Sequence, residues 1–300
     1  MKIKETNKNL FYTPYKPIII QELILEIRKL LSENLDLTLR EAEIESRFIL
    51  EHALKVKHHY LIKNYDQLIE TNKFKQIMKF VSDRISHKPL AHIFKEWKFY
   101  GMEFHINPHV LIPRQDTELL VDLIIKKYDE QKKIDILDLG TGSGAIGIAL
   151  GNRFKNANIL LSDISLNAID IVKKNILRHK LKNISVIQSD WFTNIPKKKF
   201  EVIVSNPPYI DKSDPHLKDE GLLYEPQDAL ISEQEGYADI SEIIKLSPSF
   251  LKPNGALYIE HGYNQHKKIH QLFLDNNFKK IEQNEDLNGI IRATSGKIKI

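Results

Sequence analysis

Behind Pro17 the apolar residues fall on a helical period. Leu23, Ile24, Ile27, Leu30 and Leu31 stand at i, i+1, i+4, i+7 and i+8, one stripe of a helix. Thr38 with Glu41 three residues on has the capping-box spacing and predicts a second helix start. That helix carries Ala42, Ile49, Ala53 and Val56 on one side, and Phe74, Ile77, Met78, Val81 and Ile85 form a further stripe. The pattern predicts a loose tail over 1–16 and a small helical domain over 17–87, so that 1–87 is one unit. Pro89 closes it. Between Ala91 and Val110 the residues turn aromatic and β-branched, with Tyr100-Gly101 as a turn signal, and predict a β-hairpin linker over 88–112.

From Pro113 the period changes. Short apolar runs at Ile134–Leu139, Ile159–Ser162, Ile184–Gln188, Glu201–Ser205 and Ala256–Glu260 are mostly separated by helical patterns. This alternation predicts an α/β domain over 113–300 with a doubly wound, mostly parallel sheet. Two strand-like runs around Asn288-Gly289, within Phe278–Ile298, predict an antiparallel pair at the sheet's edge.

Composition narrows the class only slightly. The 300 residues are 42% hydrophobic and 28% charged, ordinary for a globular protein with a substantial core. A net charge of +4 is too small and too dispersed for a protein that coats a duplex. Lys197, Lys198 and Lys199, between a proline and a strand, read as a solvated turn. The absence of cysteine excludes disulfides, thiolate metal sites and cysteine nucleophiles. No apolar run approaches the ~18 residues that span a bilayer, and no signal peptide is expected, so the reading is cytoplasmic.

The first chemical signal is Asp135-Ile136-Leu137-Asp138-Leu139-Gly140-Thr141-Gly142-Ser143-Gly144. A buried strand runs into a glycine loop, and a helix starts near Ala145. Glycines let the backbone turn tightly and approach a ligand. Gly142, Gly144 and Gly147 also spell the dinucleotide fingerprint. Asp163, 23 residues after Gly140, ends the next strand and can accept from ribose hydroxyls or simply cap the following helix. The loop alone leaves a nicotinamide oxidoreductase and a methyltransferase open. Asp138 tilts the balance, because a carboxylate there opposes a pyrophosphate and suits a cationic methionine moiety.

The second signal is Ser205-Asn206-Pro207-Pro208-Tyr209-Ile210 at the end of a central strand. A planar –NH2 group has a delocalised lone pair and two N–H donors in one plane. The Asn206 side-chain oxygen can accept one donor and the Pro207 carbonyl the other, leaving the lone-pair face toward a sulfonium methyl. Pro208 holds Pro207 extended, and Tyr209 can pack on the flat group. A bare Asn-Pro turn is the simpler alternative. No general base is evident, and positioning with desolvation suffices.

Taken together the segments resemble the protein-(glutamine-N5) methyltransferases of peptide-chain release factors, the HemK family. They are Leu111–Glu118, Asp138–Gly144, Ser162–Ser165, Gln188–Phe192, Val204–Ile210, Glu225–Leu230 and Glu260-His261-Gly262. The resemblance implies a Rossmann-like seven-stranded methyltransferase sheet and S-adenosyl-L-methionine as co-substrate, with no metal. Gly140, Thr141, Gly142, Ser143, Gly144, Asp163, Trp191 and Asn206 would hold that co-substrate, with Trp191 near the adenine and Asp190 beside it. Asn206, Pro207, Pro208 and Tyr209 would form the amide site. The implied partner is a class I release factor, entering on its Gly-Gly-Gln loop, with the helical domain as a clamp. The family usually has proline where Gln115 stands, which makes this segment less rigid.

Arginine is the minority base, 8 of 44, and Arg114 and Arg292 adjoin these segments. Arg114 is expected to brace the site entrance through a carboxylate, since its planar fork suits that role better than lysine. His266 and His270, at i and i+4, and His105 with His109 read as surface residues, and Glu118 with Glu225 gives no fixed acid–base pair. Two further readings stay open: an amino-methyltransferase of adenine or guanine in DNA or rRNA, and a non-catalytic cofactor-binding module.

Overall fold

A computed structural model of the chain describes residues 17–219 and 221–298. The tail expected over 1–16 lies outside the described residues. The chain divides into two compact units between Phe94 and Lys95.

The first unit is helical. α1 (Ile20–Asn34) buries Leu23, Ile27, Leu30 and Leu31 of its predicted stripe and leaves Ile24 half-buried. α2 (Leu39–Leu54) begins with the expected box, in which Thr38 and Glu41 satisfy each other's backbone N–H groups. It stops before Val56, because Lys55 turns left-handed at φ 58° and caps it. α3 (His58–Lys63) is short, and α4 (Thr71–Ile85) buries Ile77, Met78 and Val81. α5 (Leu90–Phe94) corrects the hairpin's expected start. Ala91–Phe94 are helical because the Pro89 carbonyl accepts from the His92 and Ile93 N–H groups. Proline suits a helix start, where its missing N–H would go unused anyway.

The second unit opens with the hairpin, β1 (Glu96–Phe99) and β2 (Met102–His105), turning at Tyr100-Gly101. The hairpin belongs to this unit. Arg178 pairs with Glu96 and Glu103, and the Asn175 side chain accepts from the His105 N–H at 2.7 Å. Then follow α6 (Glu118–Lys127), β3 (Asp135–Leu139), α7 (Ala145–Arg153), β4 (Asn158–Asp163), α8 (Leu166–His179), β5 (Ile184–Gln188) and β6 (Phe200–Ser205). The chain closes with α9 (Ala238–Leu246), β7 (Leu251–Glu260), α10 (His266–Asp275), β8 (Phe278–Glu285) and β9 (Ile291–Ile298).

The seven strands run in the order β5-β4-β3-β6-β7-β9-β8. All pairs are parallel except β7–β9 and β9–β8, so the antiparallel strands occupy one edge as expected. Because strand side chains alternate, Leu137, Leu139, Ile203, Leu257 and Ile259 share one apolar cluster with Ile240, Ile243 and Ile244 of α9 and Ile269 and Phe273 of α10. Asp138 points the other way, toward α7, whose Gly147 N–H reaches it. Burial at ~25 cal/mol per Å² of apolar surface makes this layered core the main driving force. Lys198 is more than a solvated turn residue. It pairs with Asp135 at 2.8 Å and lies over the Phe200 ring. No described helix is long and apolar enough to cross a membrane.

Candidate active site

Strand order reverses between β3 and β6, and ligands of doubly wound sheets bind at the carboxyl ends of strands flanking such a point. The register aligns Leu139 with Ser162 of β4 and Ser205 of β6. The glycine loop, Asp163 and Asn206 therefore leave neighbouring strands side by side.

Gly140, Gly142 and Gly144 all have positive φ, at 66°, 57° and 85°. These are the left-handed conformations that favour glycine. Gly147 serves otherwise. It lies within α7, and a Cβ there would meet Leu161 Cδ2 at 2.0 Å and Asp138 Oδ2 at 2.9 Å. It lets α7 approach β4. Asp138 is fully buried. Its Oδ2 accepts from the Thr141 hydroxyl at 2.6 Å and the Gly147 N–H at 3.0 Å, while Oδ1 has no hydrogen-bond partner. Burial pushes the carboxyl up to about 7, against the pull of those two donors.

Asp163 accepts from the Gly142 N–H and the Ser165 N–H, both at 2.9 Å. It thus ties the loop to the start of α8, while Ser165 itself accepts the Ala168 N–H. Burial raises its pKa, and those backbone donors oppose the rise. The carboxylate keeps acceptor capacity for a hydroxyl donor. Trp191 sits at φ 38°, its indole N–H donating to Asp239 at 3.1 Å. Its ring would lie 3.1 Å from a Cβ on Gly140, so it forms a plate directly over the loop. Asp190 beside it is exposed.

On the β6 side, the Asn206 side-chain N–H donates to Thr117 Oγ1 at 3.0 Å. This arrangement uses the amide nitrogen and leaves the Asn206 oxygen to accept. Pro207 is buried and Pro208 half-buried. The Tyr209 hydroxyl donates to Glu260 Oε1 at 3.3 Å, and burial pushes the phenol's pKa above its usual range. The Tyr209 carbonyl accepts from Gln265 Nε2 at 3.1 Å, and the same nitrogen donates to the Gly236 carbonyl at 3.2 Å. Gln265 Oε1 accepts from the Gly262 N–H at 2.9 Å. Gln234, Glu235 and Gly236 make a left-handed turn, and a Cβ on Gly236 would lie 2.2 Å from the Tyr209 carbonyl.

Arg114 pairs with Glu225, the carboxylate its role required, and the other Glu225 oxygen accepts the Ile112 N–H at 2.9 Å. Glu118 instead accepts the Tyr100 N–H at 2.6 Å. The two glutamates have separate partners and do not form an acid–base pair. Arg292 pairs with Asp286. Among the described residues no cluster of three or more His, Cys, Asp or Glu could hold a metal.

Reading the sequence missed Asn175, Asp239, Glu260 and Gln265 as individual residues of the site's frame. Asn175 left one signal. It is a polar residue on the apolar stripe of α8, with Ala168, Ile169 and Val172, and is fully buried. Its amide joins the Ser143 carbonyl at 2.8 Å to the hairpin backbone at His105.

A buried carboxylate oxygen without a donor, beside three glycine turns, fits a ligand that carries a cationic amine. It disfavours a pyrophosphate. The methyltransferase small domain model matches residues 115–222 and the PrmC N-terminal domain model residues 22–94. The methyltransferase of Pyrococcus furiosus has a similar fold, with a TM-score of 0.52 at 14% identity, covering 77% of this chain and all of that one. The bifunctional methyltransferase of Rickettsia conorii is 35% identical over 297 residues, 89% of this chain and 57% of its own length. The chain spans about half the length of the Rickettsia relatives it matches. The release factor glutamine methyltransferase of Buchnera aphidicola is 38% identical over 255 residues, covering 85% of this chain and 91% of that protein. With that identity along nearly the whole of such a relative, the chain belongs to the release factor glutamine methyltransferase family.

Proposed function

We propose that the protein methylates the side-chain amide nitrogen, N5, of the glutamine in the Gly-Gly-Gln loop of class I peptide-chain release factors. S-adenosyl-L-methionine supplies the methyl group on its sulfonium. The observation that carries the reading is the orientation of Asn206. With its nitrogen donated to Thr117, its oxygen is left to accept one N–H of the substrate amide. The Pro207 carbonyl takes the other. The amide nitrogen then turns its lone-pair face to the methyl carbon, and its proton leaves to solvent after transfer. Tyr209, kept protonated, packs on the flat amide.

Gly140, Thr141, Gly142, Ser143 and Gly144 cradle the methionine end, with Asp138 facing its amine. Asp163 accepts from the ribose, Trp191 covers the adenine, and Asn206 borders both substrates. The helical domain grips the release factor, as family membership suggests. Protein methylation supporting translation termination in the cytoplasm follows.

The test is methyl transfer from labelled S-adenosylmethionine to a class I release factor, total rRNA and DNA in parallel. Label on the release factor, lost when its loop glutamine is replaced, is the expected result. Label on nucleic acid alone would overturn the reading and assign the amide site to a base amine. Asn206→Ala should lower the rate roughly 5- to 150-fold, the equivalent of one buried hydrogen bond.

A further inference from the structure

Trp191 follows β5 in a conformation that few bulky residues adopt. Its φ of 38° lies in the left-handed region, where such a side chain stays only if its surroundings hold it. One hold is local. The Ser189 hydroxyl donates to the Trp191 carbonyl at 2.8 Å and accepts the Asn194 N–H at 3.0 Å. The other comes from far along the chain. The indole N–H donates to Asp239 Oδ1 at 3.1 Å, across 48 positions.

Asp239 stands in the first turn of α9, outside the glycine loop and the Asn-Pro-Pro-Tyr motif. Its backbone N–H donates to the Ser232 hydroxyl at 3.2 Å, and the Ser232 N–H donates to the Ile210 carbonyl at 3.0 Å. The start of α9 is thus fastened beside Tyr209, and Asp239 gives Trp191 an anchor on the frame of the amide site.

An indole has one polar group, a donor. The ring also packs against the apolar cluster on its side of the sheet, but apolar attraction has no direction and does not set a tilt. The bond to Asp239 does. The ring edge would lie 3.1 Å from a Cβ on Gly140, so any change of tilt alters the space over the glycine loop directly.

We infer that Asp239 is a positioning residue for the co-substrate: it fixes the tilt of the Trp191 ring and so sets the affinity for the adenosine half of S-adenosylmethionine. This rests on the proposed role of Trp191 as the cover of the adenine, and it adds what holds that cover. The alternative is a staple that fastens α9 to the turn after β5 and leaves binding alone.

The experiment uses the full chain with S-adenosylmethionine and with methylthioadenosine, which carries the adenosine without the methionine. Asp239→Leu removes the acceptor, Asp239→Asn keeps one, and Trp191→Phe keeps a ring without the donor. By calorimetry Asp239→Leu should weaken both ligands roughly 5- to 50-fold, the effect of one hydrogen bond to a charged group. Asp239→Asn should stay within about threefold of the wild type. KM for S-adenosylmethionine should rise in Asp239→Leu, while kcat and KM for the release factor stay within about threefold. Added to Trp191→Phe, Asp239→Leu should cost less than about threefold more, because the bond is already gone.

The chain has two tryptophans, so the indole N–H resonance lost in Trp191→Phe identifies the reporter. It should shift in Asp239→Leu, shift less in Asp239→Asn, and shift in the wild type when either ligand binds. A folded Asp239→Leu protein with an unmoved resonance, or with wild-type affinity for both ligands, would overturn the inference. So would a lower melting temperature with unchanged binding, which marks a staple. If Asp239→Leu does not fold, Trp191→Phe decides, and wild-type affinity there would overturn the inference too. Ligand that binds the wild type without shifting the indole resonance would instead overturn the role of Trp191 as the adenine cover, and the inference with it.

Discussion

The Arg114 guanidinium stands 2.5 Å from Glu225 Oε1, joining the segment before α6 to the loop beyond the Asn-Pro-Pro-Tyr motif across 111 positions of chain. Glu225 is buried and also holds the Ile112 N–H, so two backbone segments are fastened by one carboxylate. Lysine would keep the charge and lose the planar fork. Arg114→Lys should raise KM for the release factor roughly 3- to 10-fold with kcat little changed, the size of one charge-assisted hydrogen bond. A steady-state KM equal to that of the wild type would show that the pair does not brace the substrate entrance.

Asp138→Asn should move stability and binding in opposite directions. The carboxyl titrates at about 7 in the fold against an ordinary 3.8, chiefly because it is buried. Between those values the folded state holds more protons than the unfolded one, so stability falls as pH rises through about 4 to 7. The asparagine oxygen can still accept from Thr141 and Gly147, and no charge has to be buried. The variant should therefore melt above the wild type at pH 8 and match it near pH 4. Its affinity for S-adenosylmethionine should drop roughly 10-fold or more, since an amide cannot pair with the methionine amine as a carboxylate does. Thermal melts across that range with calorimetry at pH 8 decide it, and identical melts at pH 8 would sink the stability half.

Two glycines of the fingerprint should separate in their effects. A methyl on Gly147 would collide with Leu161 and crowd Asp138, so Gly147→Ala should cost about 1–3 kcal/mol of stability through overpacking. Nothing lies within 4 Å of a Cβ on Gly142, whose φ of 57° is the sole obstacle. Gly142→Ala should cost about 1 kcal/mol and weaken co-substrate binding instead. Denaturant midpoints set against binding constants test the split, and equal midpoints in the two variants would refute it.

Much of this molecule was legible because its elements state their period locally. The stripe Leu23–Leu31, the Thr38–Glu41 box and the strand–glycine–helix run at Asp135–Gly144 depend on neighbours in sequence, and each forms as read. The strands of the sheet follow for the same reason, although β7 begins at Leu251, where pairing with Phe200 extends it beyond its apolar stretch. What could not be read is long-range polar pairing. Glu260 meets Tyr209 across 51 positions and Gln265 meets the same residue across 56. No local period marks either partner. The start of α5 was missed because Ala91–Phe94 is short and apolar, and a run of that length does not distinguish strand from helix. Asn206 stands out as a candidate from its motif, whereas the direction of its amide depends on Thr117, 89 positions away.

Gln265 offers the sharpest test of how that long-range frame supports the motif. Its nitrogen gives its two protons to the Tyr209 and Gly236 carbonyls, and its oxygen takes the Gly262 N–H. Every bond joins backbone that flanks the site, and the residue is buried. Gln265→Glu has nearly the same shape but faces two carbonyls with no proton to give. It should lose about 2–4 kcal/mol of stability at neutral pH, for two buried acceptors stripped of their donor. The new carboxyl can restore one bond by protonating, so its folded pKa is raised, and the loss should shrink as pH falls toward 5. Methyl transfer should fall in kcat because the carbonyl of Tyr209 is no longer held, while affinity for S-adenosylmethionine, proposed to bind at the β3 and β4 ends, should stay within about threefold. Melting curves from pH 5 to 8, read beside single-turnover rates, decide the matter. A variant as stable as the wild type at pH 8, turning over at the same rate, would mean that the Tyr209 turn is held by the left-handed Gln234–Gly236 segment alone.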